Sequence, residues 1–549
     1  MAGAIETTLT PERIAGCTRT GAWPNKTLGE YLDRWVSACP AKVAAVDAVH
    51  RYTYEDLARR ADRIALGLRA LGVGPGVPVA CQLPNWTELL LMILAADRLG
   101  AVLTPIPPIY RGNELRFILG LLEAPVLVIP EAFRNHAYVP MVAGLRKDLP
   151  RLEHVFVARG AAGEGMRPLA DLTETAWEAR PGRGALPGSD PNAVSEVIFT
   201  SGTTGEPKGV MHTANTILAI ILPLLDRLRF TDRDVVLMAS TIGHQTGYLY
   251  GMATPLVIGG RLVWLDVWNA AEAARLIEAE GCTYTMGATP FLQDLTYTPA
   301  LGTRDTSSLR LSISAGASIP RKLVRDARAN LRCVISAGWG MTENGLVTCN
   351  GLEDPEEKVC GTDGAPLPGM ELMVVDDAER PVPPGAEGNL LVRGAAQFVG
   401  YFRRLEYTRQ CHTADGWFRT GDRATLDAEG YVAIAGRSKD IIIRGGENIP
   451  VAEVENLLFA HPKVATVAVV AMPDPRLQER ACAFVVPKQG QTVTLEEITA
   501  YLDAMQVAKF KWPERLEVVP ELPTTPSGKI QKFRLRQAIA ERLGAEPIR

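Results

Sequence analysis

The chain has 549 residues, 47% of them hydrophobic and 22% charged, with a formal net charge of −4. That length exceeds what one hydrophobic core usually serves, so a large domain and a smaller terminal one are expected, and so slight a charge gives no footprint for nucleic acid. Nine cysteines scattered from Cys17 to Cys482 include no CxxC pair, which argues against a disulfide framework or a zinc site and fits the reduced cytosol.

The first residues, MAGAIETTLTPERIAG, lack the apolar centre of a signal peptide, and the longest apolar runs, 89–96 and 217–225, are too short to span a bilayer. A cytoplasmic protein without stable membrane insertion is expected. Thr27 with Glu30 makes a capping-box helix start, and Thr53 opens a helix through Leu71 with Leu57, Ala61, Ile64, Ala65 and Leu68 at helical spacing. A strand over 77–83, a helix over 86–99 and a strand over 101–105 continue the alternation. This pattern predicts an α/β architecture, mostly parallel sheets layered with helices.

Val197, Ile198 and Phe199 read as a buried strand running into TSGTTGEPKG, residues 200–209. Its glycines let backbone N–H groups approach a ligand, its hydroxyl residues add neutral donors, and Lys208 adds a point charge. A polyphosphate is the natural guest. The spacing is not that of GxxxxGK[ST], because Pro207 stands where that pattern wants glycine.

A helix over 215–228 and a strand over 235–239 follow, ending in STIGHQTGYLYG, where an α/β sheet usually carries its ligand. His244 sits there. Strands over 282–286, 311–314 and 334–336 lead into GATPF (287–291), AGASIP (315–320) and AGWGMTENG (337–345). GWFRTGD ends at Asp422, a strand over 431–435 ends at Gly436 and Arg437, and SKDIIIRGGENIP follows. The final hundred residues read as a compact α+β unit, with strands over 464–470 and 481–486 alternating with helices over 451–460 and 495–505. It closes in ELPTTPSGK, an exposed loop carrying Lys529.

TSGTTGEPKG, AGWGMTENG, GWFRTGD, Arg437 and PTTPSGK together resemble the signatures of the adenylate-forming enzymes, the superfamily of acyl-CoA synthetases, peptide-synthetase adenylation domains and luciferases. The resemblance implies a large N-terminal domain over 1–438 and a small mobile α+β cap over 439–549 hinged at Lys439. It implies ATP, Mg²⁺ and coenzyme A as cofactors, a small carboxylic acid as substrate, and it allows a homodimer.

Carried over residue by residue, Thr200, Ser201, Gly202, Thr203, Thr204, Gly205 and Lys208 would hold phosphates, and Gly316 and Ala317 would lie against the adenine. Trp339 and Gly340 would flank the adenine, Thr342 would meet the α-phosphate, and Glu343 would offer a carboxylate oxygen to Mg²⁺. Asp422 and Arg437 would take the ribose and phosphates, Gly446 would line the pantetheine path, and Lys529 would be the catalytic lysine. His244 would stand where acyl group and pantetheine meet, with Gln245, Gly247, Gly287, Gly338 and Gly345 around the acyl pocket.

Trp339 replaces the family's commoner tyrosine, and Ala337 stands where an amide side chain is common. GHQTG and GATPF resemble short- to medium-chain or alicyclic acyl-CoA ligases, such as cyclohexanecarboxylate–CoA ligases. Residues 241–248, 286–291 and 337–345 contain no lysine or arginine, so a second carboxylate would be costly to bury and a monocarboxylate with an uncharged tail is favoured. CoA is the expected thiol acceptor, with an acyl- or aryl-acid adenylating enzyme that loads a carrier protein as the alternative.

Overall fold

The computed structural model describes residues 5–179, 185–200, 207–316, 319–437, 442–444, 447–449, 451–474, 477–505, 507, 509–525 and 528–545. Two large sheets face each other across buried helices. In the first, strands Leu311–Ser314, Tyr284–Gly287, Val235–Met238, Arg261–Trp264 and Val43–Val46 lie side by side, each parallel to its neighbour. Val334–Met341 extends this sheet, parallel to Leu311–Ser314, and then turns back antiparallel through Gly345–Cys349. The second orders Lys208–Thr213, Val194–Thr200, Val102–Pro105, Pro78–Cys81, Val126–Pro130 and His154–Ala158, parallel except where Lys208–Thr213 joins antiparallel.

Helix Thr87–Leu99 is apolar nearly all round, TELLLMILAADRL, and is accordingly buried on nearly every side. Helix Tyr54–Ala70 shows the expected stripe: Leu57, Ala61, Ile64, Ala65 and Leu68 are all buried below Thr53, whose hydroxyl caps Asp56 N–H. Helix Ala214–Arg227 buries its first eight residues despite Pro223. No helix among the described residues is long and apolar enough to cross a membrane.

A third, antiparallel sheet orders Met370–Val375, Glu387–Gly394, Phe418–Leu426 and Val432–Arg437. The segment after its second strand, Ala395–Phe402, is stitched down by the chain's first residues: Thr8 N–H donates to Val399 O, Arg13 to the carbonyls of Gln397 and Phe398, and the Trp23 indole to Ala395 O.

The smaller unit begins beyond Arg437, with Lys439 and the expected boundary outside the described residues. Its two main strands, Val464–Asp474 and Gln478–Pro487, form one long antiparallel hairpin. Helices Val451–Phe459 and Leu495–Ala504 flank this hairpin on either side in the chain, as the sequence predicts. The unit packs on the large domain, where Gln293 donates to Ala465 O at 3.0 Å and Asn456 Oδ1 accepts from Arg321 N at 3.3 Å.

Candidate active site

Strand Val194–Thr200 buries Val197, Ile198 and Phe199 as the sequence predicts, and pairs with Lys208–Thr213 in a register that sets Thr200 opposite Lys208. The expected phosphate loop thus begins and ends on paired strands, and its Ser201, Gly202, Thr203, Thr204 and Gly205 lie outside the described residues. Lys208 is buried. Its ammonium meets the Tyr407 hydroxyl and lies 4.2 Å from the Tyr407 ring centre and 5.5 Å from that of Tyr401. Two aromatic faces suit a cation held out of water.

AGWGMTENG is a hairpin tip, with Met341 opposite Gly345 and Thr342, Glu343 and Asn344 in the turn. Gly340 permits this crossing, since a Cβ there would stand 2.1 Å from Gly345 O. Every side of the tip is braced. His212 Nε2 lies 2.8 Å from Thr342 O and its Nδ1 3.0 Å from the Thr216 hydroxyl; burial pushes the imidazole down to about 4, so it is neutral and donates through Nε2. Tyr401 donates its hydroxyl to Glu343 Oε1 at 2.7 Å, and Phe398 N–H donates to Glu343 O at 2.7 Å. Tyr401 thus touches the carboxylate with its hydroxyl and lies below the Lys208 ammonium with its ring.

Trp339 is buried, and its indole N–H donates to Asp422 Oδ2 at 2.9 Å. Asp422 stands opposite Arg437 in the third sheet, which places TGD and the start of GRSK on neighbouring strands; nothing is described of the Arg437 side chain. Gly316 follows the strand Leu311–Ser314 with φ +84°, and Ala317 lies outside the described residues.

The other wall starts at the turn after Val235–Met238. Asn85, just ahead of helix Thr87–Leu99, clamps it, donating to Ser240 O at 2.9 Å and accepting from Ile242 N–H at 3.0 Å. His244 and Gln245 follow, then a π-helical stretch, Thr246–Ala253, a form often found beside functional sites. Gly247 is dictated by the backbone: a Cβ there would stand 2.3 Å from Thr241 O. Gly338 and Gly345 are likewise filled in the Cβ direction, by Thr348 O and the Ile220 side chain, and Gly287 by Phe291. Tyr250 accepts Leu346 N–H, tying the π-helical stretch to the Trp339 hairpin.

Lys529 comes to this wall from the small unit. Its loop is closed by Thr525 N–H on Lys529 O at 2.7 Å and by Lys529 N–H on the Thr525 hydroxyl at 3.0 Å, while Gly528 leans on Pro290 and Phe291. The Lys529 charge reaches His244: burial first, and that ammonium second, push the imidazole down to about 4. His244 is therefore neutral. Gly446 lies outside the described residues.

The sequence reading passed over His212, Tyr401, Tyr407 and Asn85. Asn344–Gly345 is good hairpin-turn chemistry and is the sequence signal that fits the tight turn at Glu343.

These elements define an adenylate-forming enzyme. The chain belongs to the AMP-binding enzyme family: the AMP-binding enzyme model matches residues 32–402 and the model of the AMP-binding enzyme C-terminal domain matches residues 453–529. It is an AMP-forming acid–thiol ligase. A medium-chain fatty-acid–CoA ligase of Escherichia coli K12 is 37% identical over 545 residues, 98% of this chain and 95% of that one. A salicylyl-CoA synthase / salicylate adenylyltransferase of a Streptomyces species is 36% identical, covering 94% and 95%. Among solved structures, the anthranilate CoA ligase AuaEII in complex with anthranoyl-AMP matches with a TM-score of 0.85 at 27% identity, covering 95% of this chain and 98% of that one.

Proposed function

We propose that this enzyme is an ATP-dependent carboxylate–CoA ligase acting on a monocarboxylic acid with an uncharged medium-chain, branched or alicyclic tail. The single observation that carries the reading is the meeting of Lys529, from the far end of the chain, with the His244 wall, in a site whose other side is the Trp339–Glu343 hairpin. The substrate carboxylate would attack the α-phosphorus of ATP, expel pyrophosphate and leave an acyl adenylate. Thiol attack by CoA on the adenylate carbonyl would then release AMP and form the thioester.

Bringing two anions together needs positive charge. His244 is neutral and does not supply it; Lys529 would: at about 4 Å and an effective dielectric near 20 its attraction is roughly 4 kcal/mol, about a thousandfold in rate if expressed fully in the transition state. Thr342 would face the α-phosphate, Asp422 would accept ribose hydroxyls beside the Trp339 indole, and Lys208 with residues 200–205 would hold the phosphates. Glu343 fits Mg²⁺: one oxygen takes the Tyr401 hydroxyl, and the other carries no hydrogen bond among the described residues. That ion, when bound, neutralises phosphate charge.

The aliphatic preference rests on GHQTG and GATPF and on the 37% identity to a fatty-acid ligase. The carrier-protein reading is favoured by a 33% identical relative of Mycobacterium tuberculosis named salicyl-AMP ligase / salicyl-S-ArCP synthetase. Pyrophosphate release across a panel of carboxylic acids, with CoA, with a carrier protein or with neither, tests both. Release that depends on an aliphatic or alicyclic acid, with acyl-CoA as product, is expected. A panel-wide preference for aryl acids, or acyl transfer to the carrier alone, would overturn the corresponding half.

A further inference from the structure

The strand that carries the phosphate loop buries an acid that the reaction above does not use. Glu196 is 0% exposed, opposite Leu103 on one neighbouring strand and His212 on the other. Among the described residues its one hydrogen bond comes from Gln245 Nε2 to Oε2, at 3.4 Å. Glu196 Oε1 and Gln245 Oε1 are both buried without a partner. A carboxylate buried without a cation costs far more than its neutral form, and two orphaned acceptors beside each other lack one donor. A proton on Glu196 supplies it. Burial pushes this carboxyl up to about 8, in keeping with a neutral acid at physiological pH.

Acid and amide are complementary, since each offers one donor and one acceptor. The pair also has a mechanical place. Gln245 follows His244 and opens the π-helical stretch, while Glu196 lies four residues before Thr200 on the way to the phosphate loop. Asn85 anchors the same turn from the helix side.

We infer that Glu196, as an uncharged acid paired with the Gln245 amide, is a positioning residue that ties the His244 turn of the acyl site to the strand leading into the phosphate loop. The inference rests on the ligase reading above and extends it: the organic acid is aligned with the nucleotide only while Glu196 keeps its proton. Other titratable groups facing this region are His212 on the adjoining strand, His244 beside Gln245, Tyr248 in the π-helical stretch and Asp97 on helix Thr87–Leu99, with the charge of Lys529 on His244. His212 and His244 stand at about 4, Asp97 at about 6, and Tyr248 is pushed up, so the window near pH 8 separates Glu196 from these four.

Two readouts on the full-length protein decide it. Infrared difference spectra of wild type minus Glu196→Gln between pH 6 and 9.5 should show a protonated-carboxyl C=O stretch that disappears with a midpoint near about 8. In pyrophosphate release, the wild-type KM for the organic acid should rise about tenfold over the same range, the scale of one lost hydrogen bond, with the KM for ATP within about twofold. Glu196→Gln should hold a low, pH-independent KM, and Glu196→Leu should show the raised value at every pH.

A carboxylate band already present at pH 6, or a Glu196→Gln profile that rises like the wild type, overturns the proposal. If Glu196→Leu fails to fold, the wild-type and Glu196→Gln series still decide. If the wild type releases no pyrophosphate with any acid, the ligase reading falls while the infrared spectra still read the proton on Glu196.

Discussion

The Trp339 hairpin and the Lys529 loop carry different kinds of contact. Around the hairpin, Thr342, Glu343 and Trp339 each have a named brace, in His212, Tyr401 with Phe398, and Asp422, and all but the His212 and Phe398 contacts are side-chain to side-chain. In the Lys529 loop, where Lys529 is exposed, Thr525 and Lys529 bond to each other, and Gly528 lies against Pro290 and Phe291 of the large domain. Groups that must be ready for the nucleotide are preorganised, so they cost no reorganisation when charge develops. On the proposed mechanism, a charge needed for one half-reaction and idle in the other would sit on a cap that rotates away.

Lys529→Ala should break the contrast most sharply. Adenylation should fall about a thousandfold while supplied acyl adenylate and CoA still give thioester at near wild-type rate, read by single-turnover assays of each half-reaction. Equal loss in both would place Lys529 among the fixed groups. Lys439→Pro, at a position outside the described residues, should do the converse, sparing adenylation and slowing thioester formation. Glu343→Gln should lower pyrophosphate release by about a hundredfold, the scale of one preorganised electrostatic group, and raise the Mg²⁺ concentration needed for half-maximal rate. Trp339→Phe removes one hydrogen bond to a carboxylate and should raise the KM for ATP by about tenfold, leaving that for the organic acid unchanged.

The smallest effect sharpens the comparison through pH. His212 is pushed down from an ordinary 6.5 to about 4 by burial, so between those values the unfolded chain binds the extra proton. The stabilising contribution is complete above pH 6.5 and is lost as pH falls toward 4, by roughly 3 kcal/mol for a shift of that size. His244 is displaced similarly, and His136, His154, His412 and His461 are pushed down as well, so His212→Gln should make the fall of melting temperature with falling pH shallower without abolishing it. An unchanged slope would mean that the brace on Thr342 is not a neutral imidazole.

What could be read in advance followed from local chemistry. The capping box at Thr27 and the helix start at Thr53 stand as the spacing predicts, and 197–199 and 311–314 lie in buried strands. Glu343 was singled out by its motif. Its support was not, because Tyr401 lies 58 residues away and looks like any aromatic in VGYF. His212, in VMHT, is hidden similarly, since its role comes from a strand that pairs across the phosphate loop and from a hairpin 130 residues further on. The resemblance assigns the glycines at 247, 338 and 345 to a pocket; what it does not convey is that in the fold their missing side chains make room for backbone or core neighbours. Periodicity carries no signal for close approach between distant segments.

The stitching of Thr8, Arg13 and Trp23 onto Ala395–Phe402 has a practical corollary for anyone preparing this protein. Trimming it to residue 32, where the family match starts, would cut away those three fasteners, and the strip they pin is the one whose Phe398 and Tyr401 grip Glu343. Such a shortened enzyme should stay folded around its large sheets and yet turn over poorly, a defect easily misread as the wrong choice of acid.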